Sequence, residues 1–196
     1  MNIRHNALPH IALSALVLLL TPVLFGISQL GALEAAMPLE GFVALIGILL
    51  LTPVFLPEQS PETEELVSSK YVSSSIVYGI RVLYSLGILV LFILVFAVYM
   101  REKGCDITAA LVCGTIADGI FLGGLGMVTS SLTGNTVTGY MVSVMYYAIC
   151  FGGGDRLGKF YLFSMTKGDY AGKVWMFAVG MVMIGAALVV RKVKKR

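Results

Sequence analysis

Asp118 is the residue most open to chemistry. It lies deep in an apolar block, where a carboxyl group must face protein or water, or carry a proton. It is read as the one acid deep in a span. A functional role there is a substrate or proton pathway. A structural role is a neutral carboxyl bonded to Thr115 or to a neighbouring helix. A second candidate is the run GGDRLGK at residues 153–159, which has the spacing of a phosphate-binding loop. Phe160 stands where the Ser or Thr that holds magnesium belongs, and no strand precedes the run, so nucleotide binding is not expected. Cys105, Cys113 and Cys150 have no paired spacing, and His5 and His10 are the two histidines. No metal site and no activated nucleophile follow from this inventory, and the chain is not expected to be an enzyme.

The longest polar stretch is PEQSPETEELVSSKYVSSSIVYGIR, residues 57–81. Ser60-Pro61 offers an N-cap and a proline at the first helical position. Glu62, Glu64 and Glu65 then suit the positive end of a helix dipole, and Lys70 suits the far end. Leu66 and Val67 supply a narrow apolar edge for a membrane surface or a partner. A solvated loop between two spans is the alternative reading of the same residues.

These candidates must be positioned by an apolar chain. Of 196 residues, 58% are hydrophobic and 13% charged. Soluble domains carry about a quarter charged residues, so the composition specifies an integral membrane protein. Five of the 14 Lys and Arg sit in the terminal RKVKKR, a cytosolic flank that can touch anionic lipid rather than nucleic acid.

Six apolar blocks predict six transmembrane helices, at about 8–27, 39–56, 75–100, 107–128, 136–151 and 174–190. The first is read as a span carrying Pro22 rather than as a cleaved leader. The fourth contains Thr115, Asp118 and the small-residue pair Gly119 and Gly123, which lets helices approach closely. The hexamer FYLFSM, residues 160–165, is too short to span and is expected as a re-entrant or interfacial piece before the last helix. The expected fold is therefore an all-α polytopic membrane protein in one domain, residues 1–196. Both termini are placed in the cytosol. This topology puts Lys70, Arg81 and the basic tail inside. It puts Arg101, Lys103, Arg156, Lys159, Lys167 and Lys173 outside, a weak bias in the expected direction.

The arrangement resembles the membrane (permease) subunits of ATP-binding-cassette exporters of the second export class. The resemblance runs from about residue 39 to the end. It rests on PETEELVSSKYVSSSIVYGIR between spans two and three, on GGLGMVTSSLTGNTVTGYMVS at residues 123–143, and on FYLFSM before the last span. It implies a permease in a bacterial plasma membrane that forms the translocation pathway and has no nucleotide site of its own. ATP and magnesium would bind in a separate cytosolic ATPase subunit. Glu62, Glu64, Glu65, Leu66, Val67, Ser69 and Lys70 would form the short cytosolic coupling helix that this ATPase grips. A second copy or a sister permease would complete the unit. Two other classes stay open: a membrane scaffold or assembly factor that recruits a cytosolic protein, and a proton-coupled carrier using Asp118.

Overall fold

The computed structural model describes residues 3–58 and 74–194, which are almost wholly helical and contain no strand. The long elements are α1 (Ile3–Phe25), α2 (Ala32–Gly41), α3 (Ile46–Leu51), α4 (Ser74–Glu102), α5 (Ala109–Thr133), α6 (Thr136–Gly153) and α7 (Ala171–Lys194). Short 3-10 turns join α2 to α3 and carry the chain on to Glu58. The coupling residues Glu62, Glu64, Glu65, Leu66, Val67, Ser69 and Lys70 lie outside the described residues.

Five stretches are long and apolar enough to cross a membrane: Leu8–Phe25, Ala32–Leu56, Val77–Glu102, Ala109–Thr133 and Ala171–Lys194. They make this a membrane protein by length and composition. The expected fifth span is the helix α6, but it is not one of the five. Its 18 residues include Thr136, Thr138, Ser143 and three tyrosines, which dilute its apolar character.

Three boundaries differ from those the apolar blocks predict. The second span begins at Ala32 rather than Leu39, because Pro38 is accommodated inside α2 rather than ending a loop. Gly31 caps α2, with its N–H donating to the Glu34 carboxylate at 3.3 Å. The fourth span does not stop near residue 128. Thr129, Ser131 and Thr133 turn their hydroxyls back onto carbonyls of the preceding turn, at 2.9, 2.7 and 2.8 Å. That internal bonding lets a polar SSLT run stay helical. Gly134 then ends α5 in the left-handed conformation, at φ +74°, and its N–H donates to Ser130. The last helix starts at Ala171, so Lys173 belongs to α7 and not to an outer loop.

The contacts fix the helix directions. Gly47 of α3 faces Gly119 and Gly123 of α5, and Thr52 lies beside Gly126, so the second span runs parallel to α5. Lys173 meets Asp118, Gly180 meets Phe121 and Gly124, and Lys194 meets Leu132, so α7 is parallel to α5 as well. Helices α4 and α6 run the other way: Arg81 donates to Val54 O, Leu89 touches Gly119, and Ser143 donates to Leu122 O at 2.9 Å. The basic end of the bundle carries Arg81, Arg191, Lys192 and Lys194, together with the break between Glu58 and Ser74. The opposite end carries residues 26–31, 103–108 and 154–170. There Gln29 N–H donates to Lys103 O and Asp106 N–H to Leu30 O.

The second span and α5 form the buried centre, whereas α1, α4 and α7 turn apolar faces outward, with Val23, Leu83, Val174 and Val182 all exposed. In hydrocarbon such faces cost little, and helix association must come from close packing and polar contacts instead. Glycine supplies the close packing. A Cβ on Gly47 would stand 2.0 Å from Gly119 O, and one on Gly123 would stand 2.5 Å from Gly47 O. The two backbones therefore touch, and no larger residue fits.

Gly47→Val is expected to destabilise the detergent-solubilised protein by about 2–3 kcal/mol, because the backbone of α5 must be pushed away. Gly87→Ala, in open space on α4, is expected to be neutral or slightly stabilising. Thermal unfolding of the two variants beside wild type checks the contrast.

Candidate functional site

Lys173 is the third residue of α7, close to the end of the bundle opposite the basic one. Its side chain nevertheless turns inward and is almost fully buried. The Nζ lies 2.6 Å from Glu40 Oε1, and 2.8 and 2.7 Å from Asp118 Oδ1 and Oδ2. It also donates to the carbonyl oxygen of Leu162. Glu40 and Asp118 are both completely buried. Three elements thus place one ammonium between two carboxylates: α2, α5 and α7.

The local sequence makes room for this. Gly114 lies one turn before Asp118, and a Cβ there would stand 2.2 Å from the Met165 sulfur and 3.5 Å from Lys173 Cγ. The lysine stem and the methionine fill the space that Gly114 leaves. Gly172 lets the start of α7 approach Lys159 O. Tyr146 and Cys150 of α6 lie within electrostatic reach of Asp118.

The segment before α7 joins the same centre. Residues 154–160 form a 3-10 turn, Tyr161 is extended, and Met165–Lys167 form a second turn. Leu162 and Met165 are fully buried, and Phe163 packs on Phe151 at a ring distance of 4.6 Å. The backbone N–H groups of Met165 and Thr166 donate to Glu40 Oε1 and Oε2, at 2.8 and 3.2 Å. Glu40 therefore receives donors from both α7 and this segment. Among the described residues, Asp118 receives its hydrogen bonds from Lys173 alone.

Two carboxylates against one ammonium leave a formal surplus of one negative charge when all three are ionised. In a dry interior each buried ion costs several kcal/mol, and only tight pairing with further hydrogen bonds offsets that cost. The arrangement can hold an ion pair, exchange partners between the two carboxylates, or take up a proton. Among the described residues no three His, Cys, Asp or Glu side chains come together.

Asp118 was legible in the sequence as a buried acid, and of the two partners expected for it, Thr115 or a neighbouring helix, the structure has the second, through Lys173 of α7. Thr115 donates instead to Leu111 O at 2.8 Å, as hydroxyls in helices do when no better acceptor is in line. Asp118 is also not the only buried acid. Glu40 was absorbed into a predicted span, and Lys173 was assigned to an outer loop. The available signal was the presence of charges of both signs inside apolar stretches. Gly119 and Gly123 sit against Leu89, Gly47 and Leu51 within the chain. Phosphate-loop residues Gly158 and Lys159 lie in the segment 154–160, which is kinked at Gly158 and passes into the extended Tyr161 rather than into a helix, as a phosphate-binding loop would. No family model, no curated protein and no solved structure matches the chain.

Lys173→Met is expected to destabilise the folded protein by about 3–5 kcal/mol, because it leaves two carboxylates buried without their cation. The triple variant Glu40→Gln/Asp118→Asn/Lys173→Met, which buries no bare charge, is expected to recover part of that loss. Unfolding of both variants in the same detergent checks the ordering.

Proposed function

We propose that the chain is the permease subunit of an ATP-driven exporter. It pairs with a second copy or a sister permease and with a separate cytosolic ATPase that binds ATP and magnesium. The observation that carries this reading is the end of the bundle at which the acidic segment leaves and returns. Glu58 and Ser74 flank that segment, and they share their end with Arg81, Arg191, Lys192 and Lys194. Positive residues favour the cytosolic side, so the segment containing Glu62, Glu64, Glu65, Leu66 and Val67 is offered where an ATPase works. The broken second span and the segment packed beneath it supply the irregular, protein-enclosed backbone that transport pathways use. The outward apolar faces leave room for a second membrane subunit.

A proton-coupled carrier is the second reading. It gains from Glu40, since a second buried carboxylate gives a proton relay two stations instead of one.

Pull-down of the intact chain from detergent against cytosolic protein tests the exporter reading. A co-purifying ATPase is expected with wild type and is expected to be lost with Glu62→Lys/Glu65→Lys, measured as ATP hydrolysis in the eluate. A folded wild-type chain that retains no ATPase overturns it and favours a scaffold or a carrier. In the carrier case, Asp118→Asn abolishes transport without any ATPase being involved.

A further inference from the structure

We propose that residues 161–168 form a strap that seats and unseats as one unit, and that Glu40, Lys173 and Asp118 are its lock. Its role as a gate rests on the permease reading; its opening as a unit does not.

Five observations define the strap. Gly158 precedes it and Gly168 closes it, both in left-handed backbone at φ +53° and +78°. These are joints that other residues adopt only with strain. Between them the chain makes no continuous helix, so helical hydrogen bonding does not hold it in place. Its anchors are Leu162 and Met165, both fully buried, and the Met165 sulfur lodges against Gly114. Its polar ties run to side chains of three other elements: Glu40 takes the N–H groups of Met165 and Thr166, Lys173 donates to Leu162 O, and the Cys150 thiol of α6 takes the Leu162 N–H. Ser164 Oγ is buried with no hydrogen-bond partner, so the seated strap carries one unsatisfied polar group.

The lock couples the strap to α5 through a shortage of donors. When the strap is seated, its two N–H groups support the Glu40 charge, and the Lys173 ammonium can serve Asp118 with both short contacts. When the strap leaves, Glu40 loses those two donors and Lys173 loses the Leu162 carbonyl. The ammonium, already 2.6 Å from Glu40 Oε1 when the strap is seated, is then the remaining strong donor for that carboxylate, and its pairing shifts toward Glu40 at the expense of Asp118. Seating of the strap and pairing at Asp118 are thus two readouts of one equilibrium. The other groups facing Asp118 do not replace the ammonium. Tyr146 donates to Phe160 O, and the Cys150 thiol takes the Leu162 N–H.

Hydrogen exchange on the full chain in lipid nanodiscs tests the proposal. In wild type the amides of Met165, Thr166, Lys167 and Gly168 are expected to exchange together, and faster than the amides of α5 around Asp118. Glu40→Gln and Lys173→Met are expected to speed strap exchange by about tenfold or more, with α5 still protected. Asp118→Asn, which leaves the Glu40 contacts in place but removes the carboxylate that pairs with Lys173 when the strap is seated, is expected to speed strap exchange as well, by less than Glu40→Gln. Three results overturn the proposal: strap amides that open only with the whole bundle, strap amides that open independently of one another, or an unchanged strap in folded Glu40→Gln. If Lys173→Met does not fold, wild type and Glu40→Gln decide. A strap that behaves as expected in a chain that retains no ATPase keeps the lock and removes the gate.

Discussion

The bundle depends on one ammonium group. Lys173 joins the second span, α5 and the segment before α7 at a single point. Its burial is unfavourable in itself and becomes tolerable only because two carboxylates and a carbonyl oxygen surround it. The reverse also holds, since neither Glu40 nor Asp118 has water to fall back on. Each member of the cluster therefore constrains the other two. The helices that carry them must arrive in one register for any of them to be accommodated. A charge cluster of this kind adds less to net stability than to uniqueness, because a helix slipped by one turn would leave ions unpaired.

Packing along the rest of the interface works by subtraction. Gly47, Gly119 and Gly123 remove side chains where α3 crosses α5, and Gly124 and Gly180 do the same between α5 and α7. The shorter distance between backbones increases dispersion contact, which in lipid has to replace the hydrophobic effect. Hydroxyl groups add local ties. Ser143 reaches Leu122 O across the α5–α6 interface, and Tyr147 reaches Gly41 O at the end of α2. The loosest member is α1, whose face toward the others is narrow. Order in the bundle thus decreases outward from α5, the helix that touches the second span, α4, α6 and α7.

Fold class was legible because apolar blocks of about 20 residues have few other uses. The helix start at Thr108 and the stop at Gly134 were also present as local chemistry: a hydroxyl that accepts from Leu111 N–H, and a left-handed glycine. Boundaries went wrong where a local rule met an internal remedy. Ser and Thr at residues 129–133 looked like a loop but satisfy themselves within the helix. Pro38 looked like a break but fits into α2. The site was half legible. Asp118 declared itself by being an acid among glycines. Its partner lies 55 residues further on, at a position that reads equally well as an interfacial lysine. Charge pairing over such a separation is a tertiary fact, and neither periodicity nor composition records it. The coupling residues of the acidic segment lie outside the described residues.

The position of Lys173 in the last helix also has a consequence for how the chain is made. Synthesis delivers Glu40 and Asp118 to the membrane well before their cation exists. Until α7 emerges, the insertion machinery must shelter two acids that no finished element neutralises, either at its own polar surfaces or with bound protons. Arrival of α7 is then the step that closes the charge balance. A nascent chain stopped short of α7 would present quality-control proteases with a membrane segment bearing uncompensated acid.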